Sequence, residues 1–282
     1  MSRLLLVIAL ATALLSAGAA WLWLWPDDPQ RALTRLQQLG GKVQRDEGSP
    51  DRRIVRIDLH DCPISDDDLS ALAAFPHLHY LILTGTRIRG EGLRHLAGLK
   101  ELRGLALSGE AAGGDGLRHL IGRTNLQELR LEKATLTDAG LKHLGQMIAL
   151  EGLEIVDVPL DNEALSRLTA LVNLQRLTLH RTAVNDAGLA ALARLQNLEE
   201  LSLASSSIGD TGLIYIKNLK NLQELTLDCP KVSTVGLRHL KAMTHLRELD
   251  LSHARIADKD VQELRDALPN TFVYRTESNA SE

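Results

Sequence analysis

From residue 55 to residue 270 the chain repeats itself every 24 residues, giving nine units with no insertion between them. One column of the repeat reads Ile57, Leu81, Leu105, Leu129, Leu153, Leu177, Leu201, Leu225, Leu249. Two places on it reads Leu59, Leu83, Leu107, Leu131, Ile155, Leu179, Leu203, Leu227, Leu251. A third runs Leu69, Leu93, Leu117, Leu141, Leu165, Leu189, Leu213, Leu237, Val261, and a fourth, from Ile64 to Ile256, is apolar in every unit. A unit this short cannot bury its own apolar face. Identical units must therefore stack, each covering the next, and the result is a solenoid.

Within a unit the periodicity switches. Glu128-Leu129-Arg130-Leu131 alternates polar and apolar as a short strand does. Thr137 to Leu144 has the spacing of a short amphipathic helix. The column before that helix (Asp66, Gly90, Gly114, Asp138, Asn162, Asp186, Asp210, Thr234, Asp258) holds residue types that serve as N-caps, and capping is its expected role. Two residues later most units carry Gly, as at Gly92, Gly116, Gly140, Gly188, Gly212 and Gly236. That pattern predicts close approach of backbone between coils.

Stretches such as LQELRLEKATLTDAGLKHLGQM and LEELSLASSSIGDTGLIYIKNL resemble the leucine-rich-repeat family, in its helix-bearing 24-residue form similar to the GALA and cysteine-containing subtypes. The resemblance covers 55–270. It implies an α/β horseshoe with a concave parallel sheet and short convex helices. Nine strands at about 4.8 Å make an arc roughly 40 Å long. One column departs from the family pattern: its usual Asn reads Cys62, Thr86, Glu110, Ala134, Val158, Thr182, Ser206, Pro230, Ala254. Small residues are expected to turn that corner without an asparagine ladder.

The flanks read as caps. Residues 26–54 supply a linker, an amphipathic helix over 29–39 and a short strand around Val43. Residues 271–282 supply a closing strand and a frayed tail. Cys62 and Cys229 lie seven coils apart, about 34 Å, too far for a disulfide.

Residues 4–25 carry no charge, and as a helix they span roughly 33 Å, enough to cross a bilayer. Arg3 precedes them and Asp27 and Asp28 follow, which places residues 1–3 in the cytoplasm and the repeats outside. Trp21, Trp23 and Trp25 fall at the headgroup level. A cleaved signal peptide ending near Ala17-Gly18-Ala19 is the alternative, and the uncleaved anchor is preferred because cleavage would expose a Trp-rich start. Either way the repeats are exported.

No nucleophile, P-loop, zinc-protease or dinucleotide motif is present, so an enzyme, a cofactor and a metal are not expected. A net charge of -4 gives no reason to expect nucleic acid. His95, His119, His143 and His239 share one helix column, read as solvated repetition of a GL[RK]HL unit rather than a metal site. Alternation places the concave side chains, and the candidate partner-binding residues are Tyr80, Glu128, Arg130, Glu154, Arg176, Glu200, Glu224, Asp228, Glu248 and Asp250. Glu128, Arg130, Glu132 and Lys133 are expected to pair among themselves or with Glu154, Asp157, Arg176 and Arg181. Glu200, Glu224 and Glu248 stack at strand spacing, with no Lys or Arg at the outward strand positions of repeats seven to nine, which suits a basic peptide. Tyr80 is the only aromatic expected on this face. Repeat three is the weakest unit, with Glu110 to Gly114 in its turn and Arg123 in an apolar column. These features predict a membrane-tethered, non-enzymatic scaffold binding a protein or peptide. The alternative is a structural envelope protein that associates laterally with its own kind.

Overall fold

The computed structural model describes residues 28–275, except 206, 253 and 255. The expected membrane segment, residues 4–25, and the tail beyond 275 lie outside the described residues. Among the described residues no helix is long and apolar enough to cross a membrane.

Eleven strands form one sheet in chain order: β1 (Lys42–Arg45), β2 (Ile54–Asp58), β3 (Tyr80–Ile82), β4 (Gly104–Ser108), β5 (Glu128–Glu132), β6 (Gly152–Val156), β7 (Arg176–His180), β8 (Glu200–Ala204), β9 (Glu224–Asp228), β10 (Glu248–Asp250) and β11 (Phe272–Tyr274). From β2 onward every pair is parallel and every register step is 24 residues, as in Leu129↔Leu153 and Leu153↔Leu177. The sheet is not parallel throughout, as the sequence suggested. β1 runs antiparallel to β2, with Val43 opposite Ile57, because the 46–53 loop, closed by Asp46 N–H to the Arg53 carbonyl, returns the chain onto the first repeat.

Behind the sheet a single core runs from Ala32 to Val273. The three leucine columns lie inside it, fully buried in nearly every coil. Each such side chain contributes about 1.5–3 kcal/mol relative to an exposed one. The helices form the outer layer. In repeats one to three they are 3₁₀ segments (Asp66–Ala74, Gly90–Gly98, Asp115–Leu120), the last preceded by one α-helical turn at Gly109–Gly113, and from Asp138–Leu144 on they are α-helical turns. Segments of two turns gain little from their own hydrogen bonds, so packing between coils sets their pitch.

The expected cap column does not cap most of these helices. Thr137, Asp161, Asn185 and Ser233, one residue earlier, accept from backbone N–H groups of the first turn. The next residue does something else. Asp66, Asn162, Asp186 and Asp210 reach across to the following coil and accept from the backbone N–H of Arg89, Asn185, Gly209 and Ser233 at 2.6–3.1 Å. These bonds staple one coil to the next. They also explain the glycines: a Cβ at Gly92, Gly188, Gly212 or Gly236 would overlap the stapling side chain of the preceding coil. At Gly116 the obstruction is backbone, since its Cα lies against Gly90.

Two further devices turn the coils. At the end of each strand in repeats one to six sits a left-handed residue, at Asp61, Gly85, Gly109, Lys133, Asp157 and Arg181, with φ between 45° and 75°. The corner therefore needs no asparagine at the position after it. An asparagine ladder does exist, at the opposite corner between helix and strand. Asn125, Asn173, Asn197 and Asn221 each donate to a carbonyl of the preceding coil (Lys100, Ile148, Val172, Gln196) at 2.7–2.9 Å.

Both ends are closed. Asp28 caps the helix Pro29–Gln38, whose Leu33 and Leu36 are buried at the start of the core. At the far end Arg265 donates to the outward carbonyl of Val273 at 3.0 Å, which blunts the edge of β11. Repeat three accommodates its unusual residues. Gly109–Gly113 makes one helical turn with Ala111 and Ala112 buried, and Arg123 spends its guanidinium on the Leu99 carbonyl. Cys62 and Cys229 are free and buried.

Candidate functional site on the concave face

Three columns of side chains stand on the open face of the sheet. The first runs Arg56, Tyr80, Gly104, Glu128, Gly152, Arg176, Glu200, Glu224, Glu248, Phe272, and the register places each beside the next. The second, two residues on, includes Arg130, Glu154 and Asp250, and the third includes Asp228. All ten candidate residues thus share one face, as alternation along the strands requires.

They divide into two groups. In the middle of the arc the charges are matched. Arg130 pairs with Glu154 and, at 3.2 Å, with Glu132, and Lys133 lies 3.0 Å from Glu132. Arg181 forks onto Asp157 through two nitrogens. Arg176 pairs with Glu128 at 2.9 Å. The neighbouring Lys133, with Arg130 beside it, holds the Glu132 carboxyl below the usual range. The Arg181 guanidinium does the same for Asp157. Glu128, Arg130, Glu132 and Lys133 of repeat four each find a partner within the expected set.

The two glycines of the first column make a hollow there of about 400 Å³. Its walls are Arg56, Tyr80, Glu128, Arg130, Glu154, Arg176 and Glu200, over a floor of Gly104, Ala106 and Gly152. The Tyr80 ring leans over Gly104, and the Arg56 guanidinium stands 5.9 Å from the ring centroid, within cation–π range.

Beyond Arg176 the matching ends. Arg176 is the last Lys or Arg in these columns. Glu200 lies opposite Glu224, and Glu224 opposite Glu248. Asp228 and Asp250 add charge on the same strands. Burial, with the adjacent Glu224, pushes the Glu200 carboxyl above the ordinary range, and Arg176 acts against this without cancelling it. Such a ladder of like charges is unfavourable in the isolated fold.

One expectation fails here. Tyr80 is not the only aromatic on the face. Phe272 and Tyr274 in β11 stand in register with Glu248 and Asp250, exposed by 72% and 48%. The closing strand lies outside the nine units, so its alternation was not projected onto their columns. The acidic ladder therefore ends against two aromatic rings.

The histidine column on the helix side is half-buried rather than solvated. His143 Nε2 lies 2.8 Å from Asp115 Oδ1 and His119 Nε2 3.6 Å from Glu91, so carboxylates of the preceding coil reach the column. Among the described residues no group of three or more His, Cys, Asp or Glu side chains is placed to hold a metal ion.

Residues 76–97 and 196–256 match family models described as leucine-rich repeats. Among solved structures the chain is similar to an internalin of Listeria monocytogenes, inlF, at 14% identity, covering 91% of this chain and 97% of that one with a TM-score of 0.40. Internalin C2 of the same organism gives 21% identity, 79% and 81% coverage and a TM-score of 0.45. A leucine-rich-repeat protein of Leptospira interrogans gives 19%, 72% and 56%, and 0.44. No curated protein matches the chain. Both matched stretches fall in the one 24-residue register that the sheet keeps from β2 to β11, and over those stretches the chain carries leucine-rich repeats.

Proposed function

We propose that this protein is a non-enzymatic binding scaffold that receives a basic protein or peptide on its concave face. The observation that carries this reading is the break in charge matching after Arg176. Where the fold needs neutrality it builds ion pairs, yet Glu200, Glu224, Asp228, Glu248 and Asp250 stand on β8 to β10, whose concave positions carry no Lys or Arg, and Arg176 beside Glu200 is paired with Glu128. A partner bearing Lys or Arg removes that repulsion on binding, so electrostatics favour the bound state. Phe272 and Tyr274 offer ring faces to the same cations. The hollow beside Tyr80, Glu128, Arg130, Glu154 and Arg176 takes a side chain of the same partner as its anchor.

In this reading residues 4–25 tether the scaffold to a membrane as a single-pass anchor, with the repeats on the extracytoplasmic side. Protease accessibility of the repeats in intact cells tests that placement.

The binding reading is tested with a fluorescent decalysine peptide added to the full-length protein in detergent, with decaglutamate as the control. Decalysine should bind, weaken as salt is raised, and lose at least ten-fold in affinity when Glu224 and Glu248 are both replaced by Lys. Equal affinity for the wild-type and charge-reversed faces would sink the proposal.

A further inference from the structure

The nine repeats meet at eight seams, and among the described residues seven of them are closed by one of three devices. An Asp or Asn staple with a facing Gly closes four: Asp66 with Gly92, Asn162 with Gly188, Asp186 with Gly212, and Asp210 with Gly236. Glycine against glycine backbone closes two: Gly90 with Gly116, and Gly113 and Gly114 with Gly140. The last uses a side-chain bond, Thr234 Oγ1 to Asp260 at 2.7 Å.

Among the described residues the seam between repeats four and five has no staple to a backbone N–H and no glycine facing one, and its side-chain bond is an exposed ion pair, Asp138 to Arg167. The stapling residue is present, Asp138, but position 164 across from it is Ala rather than Gly. A methyl group occupies the space that the carboxylate takes at the stapled seams. Asp138 instead turns outward, 90% exposed, and meets Arg167 at 3.1 Å. A second bond is missing for an independent reason. At the equivalent positions of repeats two and six, Arg87 and Ala183 donate their N–H to Ile64 and Leu160 of the coil before. The equivalent residue here is Pro159, which has no N–H to give to Leu136. Two adjoining cavities lie in this seam, sharing Asp138, Leu141 and Arg167 in their walls. The sheet, by contrast, is unbroken at this place: β5 and β6 pair along all five residues.

We propose that the seam between repeats four and five is a hinge of the solenoid, with the β5–β6 pair as its axis and the helices Asp138–Leu144 and Asn162–Arg167 as the parts that separate. A layer that is continuous on one side and held on the other by a single exposed ion pair bends about the continuous side. The axis passes directly under the hollow, whose walls include Glu128 of β5 and Glu154 of β6. Bending there changes the curvature of the concave face without breaking a strand pair.

Hydrogen exchange of the full-length protein, followed by fragment-resolved mass spectrometry without ligand, tests this directly. The Asp161 amide, and the helices Asp138–Leu144 and Asn162–Arg167, should exchange at least ten-fold faster than the Asn185 amide and the helix Asp186–Leu192. Replacing Ala164 by Gly should let Asp138 swing in and slow exchange at Asp161 by a similar factor. A glycine inside a helix acts in the opposite direction on its own, so the sign of the change is diagnostic. Adding Asp138→Ala to Ala164→Gly should restore fast exchange. Equal wild-type rates at the two seams, or faster exchange in Ala164→Gly, would overturn the proposal. None of these readouts depends on a partner being bound.

Discussion

Arg176 reaches past Gly152 to set its Nη2 2.9 Å from Glu128, an ion pair that skips a whole strand. Gly152 permits this because the site of its missing Cβ lies 3.2 Å from that nitrogen. Replacing Gly152 by Val should break the pair and fill the hollow. Both charged groups are well exposed, so stability should change by less than about 1 kcal/mol in urea unfolding. Decalysine affinity, measured by fluorescence anisotropy, should change only through the released Glu128. Affinity for a lysine peptide carrying one central Trp should fall at least five-fold. Unchanged Trp-peptide affinity would show that the hollow is not an anchor.

Gly92 and Gly98 lie in the same 3₁₀ segment and should respond oppositely to alanine. A methyl group at Gly92 displaces the Asp66 carboxylate and with it the staple to Arg89, a loss of about 1–3 kcal/mol. At Gly98 a Cβ meets nothing within 4 Å, so the same change should be neutral or slightly stabilising. Urea midpoints of the two variants provide the comparison.

Removing one rung of the asparagine ladder should be felt locally. Asn197→Ala leaves the Val172 carbonyl without its donor and should cost about 1 kcal/mol. The exchange rate of amides flanking Val172 should rise while those in repeat nine stay unchanged.

Much of the fold was legible in the sequence because the repeat writes each structural fact nine times. The leucine columns named the core, and alternation placed all ten candidate side chains on one face. What stayed hidden was of two kinds. The asparagine ladder occupies only four of nine units, at 125, 173, 197 and 221, so no full column announced it. The stapling role of Asp66 and its equivalents looks like capping in the sequence, because both need the same short polar side chain just before a helix. A one-residue difference in helix start separates the two, and sequence patterns do not resolve boundaries that finely. Phe272 and Tyr274 were missed because the closing strand follows the last full repeat.

Acid should reveal two carboxylates that behave in opposite ways. Glu200 holds its proton more tightly in the fold than an ordinary Glu, with burial as the main cause and Glu224 adding to it. Below about pH 4, the ordinary Glu range, the folded and unfolded chains are both protonated there and no penalty exists. As pH rises through the folded value, the fold must ionise a group that the unfolded chain ionised earlier, and stability falls. Glu200→Gln should therefore stabilise at pH 7 and make no difference at pH 3. Solvent screening keeps the gain below about 1 kcal/mol. Asp68 goes the other way: burial opposes ionisation, but the Ser65 backbone and Arg35 hold its carboxyl below the usual range. Its contribution is present above the ordinary Asp value and is lost as pH falls, so Asp68→Asn should destabilise at pH 7 more than at pH 3. Chemical denaturation at both pH values distinguishes the pair.

The Cys229 thiol, buried in the core, is pushed up to about 11 chiefly by desolvation. Cys62 shifts upward for the same main reason. Neither should react with a thiol reagent at pH 8 in the folded protein, and both should react once urea has unfolded it.

The staples also say what can be traded between such proteins. Each one is split across a boundary, the Asp or Asn in one coil and the vacant Cβ site 26 residues later in the next. A single 24-residue segment is therefore not an interchangeable brick. Repeat five carried into another position brings Ala164 against whatever acid precedes it. A cut-and-paste that respects the 24-residue length can still mismatch lock and keyhole at both joins. The heritable module of this solenoid is the junction, and recombination or design that keeps junctions whole should preserve the fold where exchange of whole repeats would not.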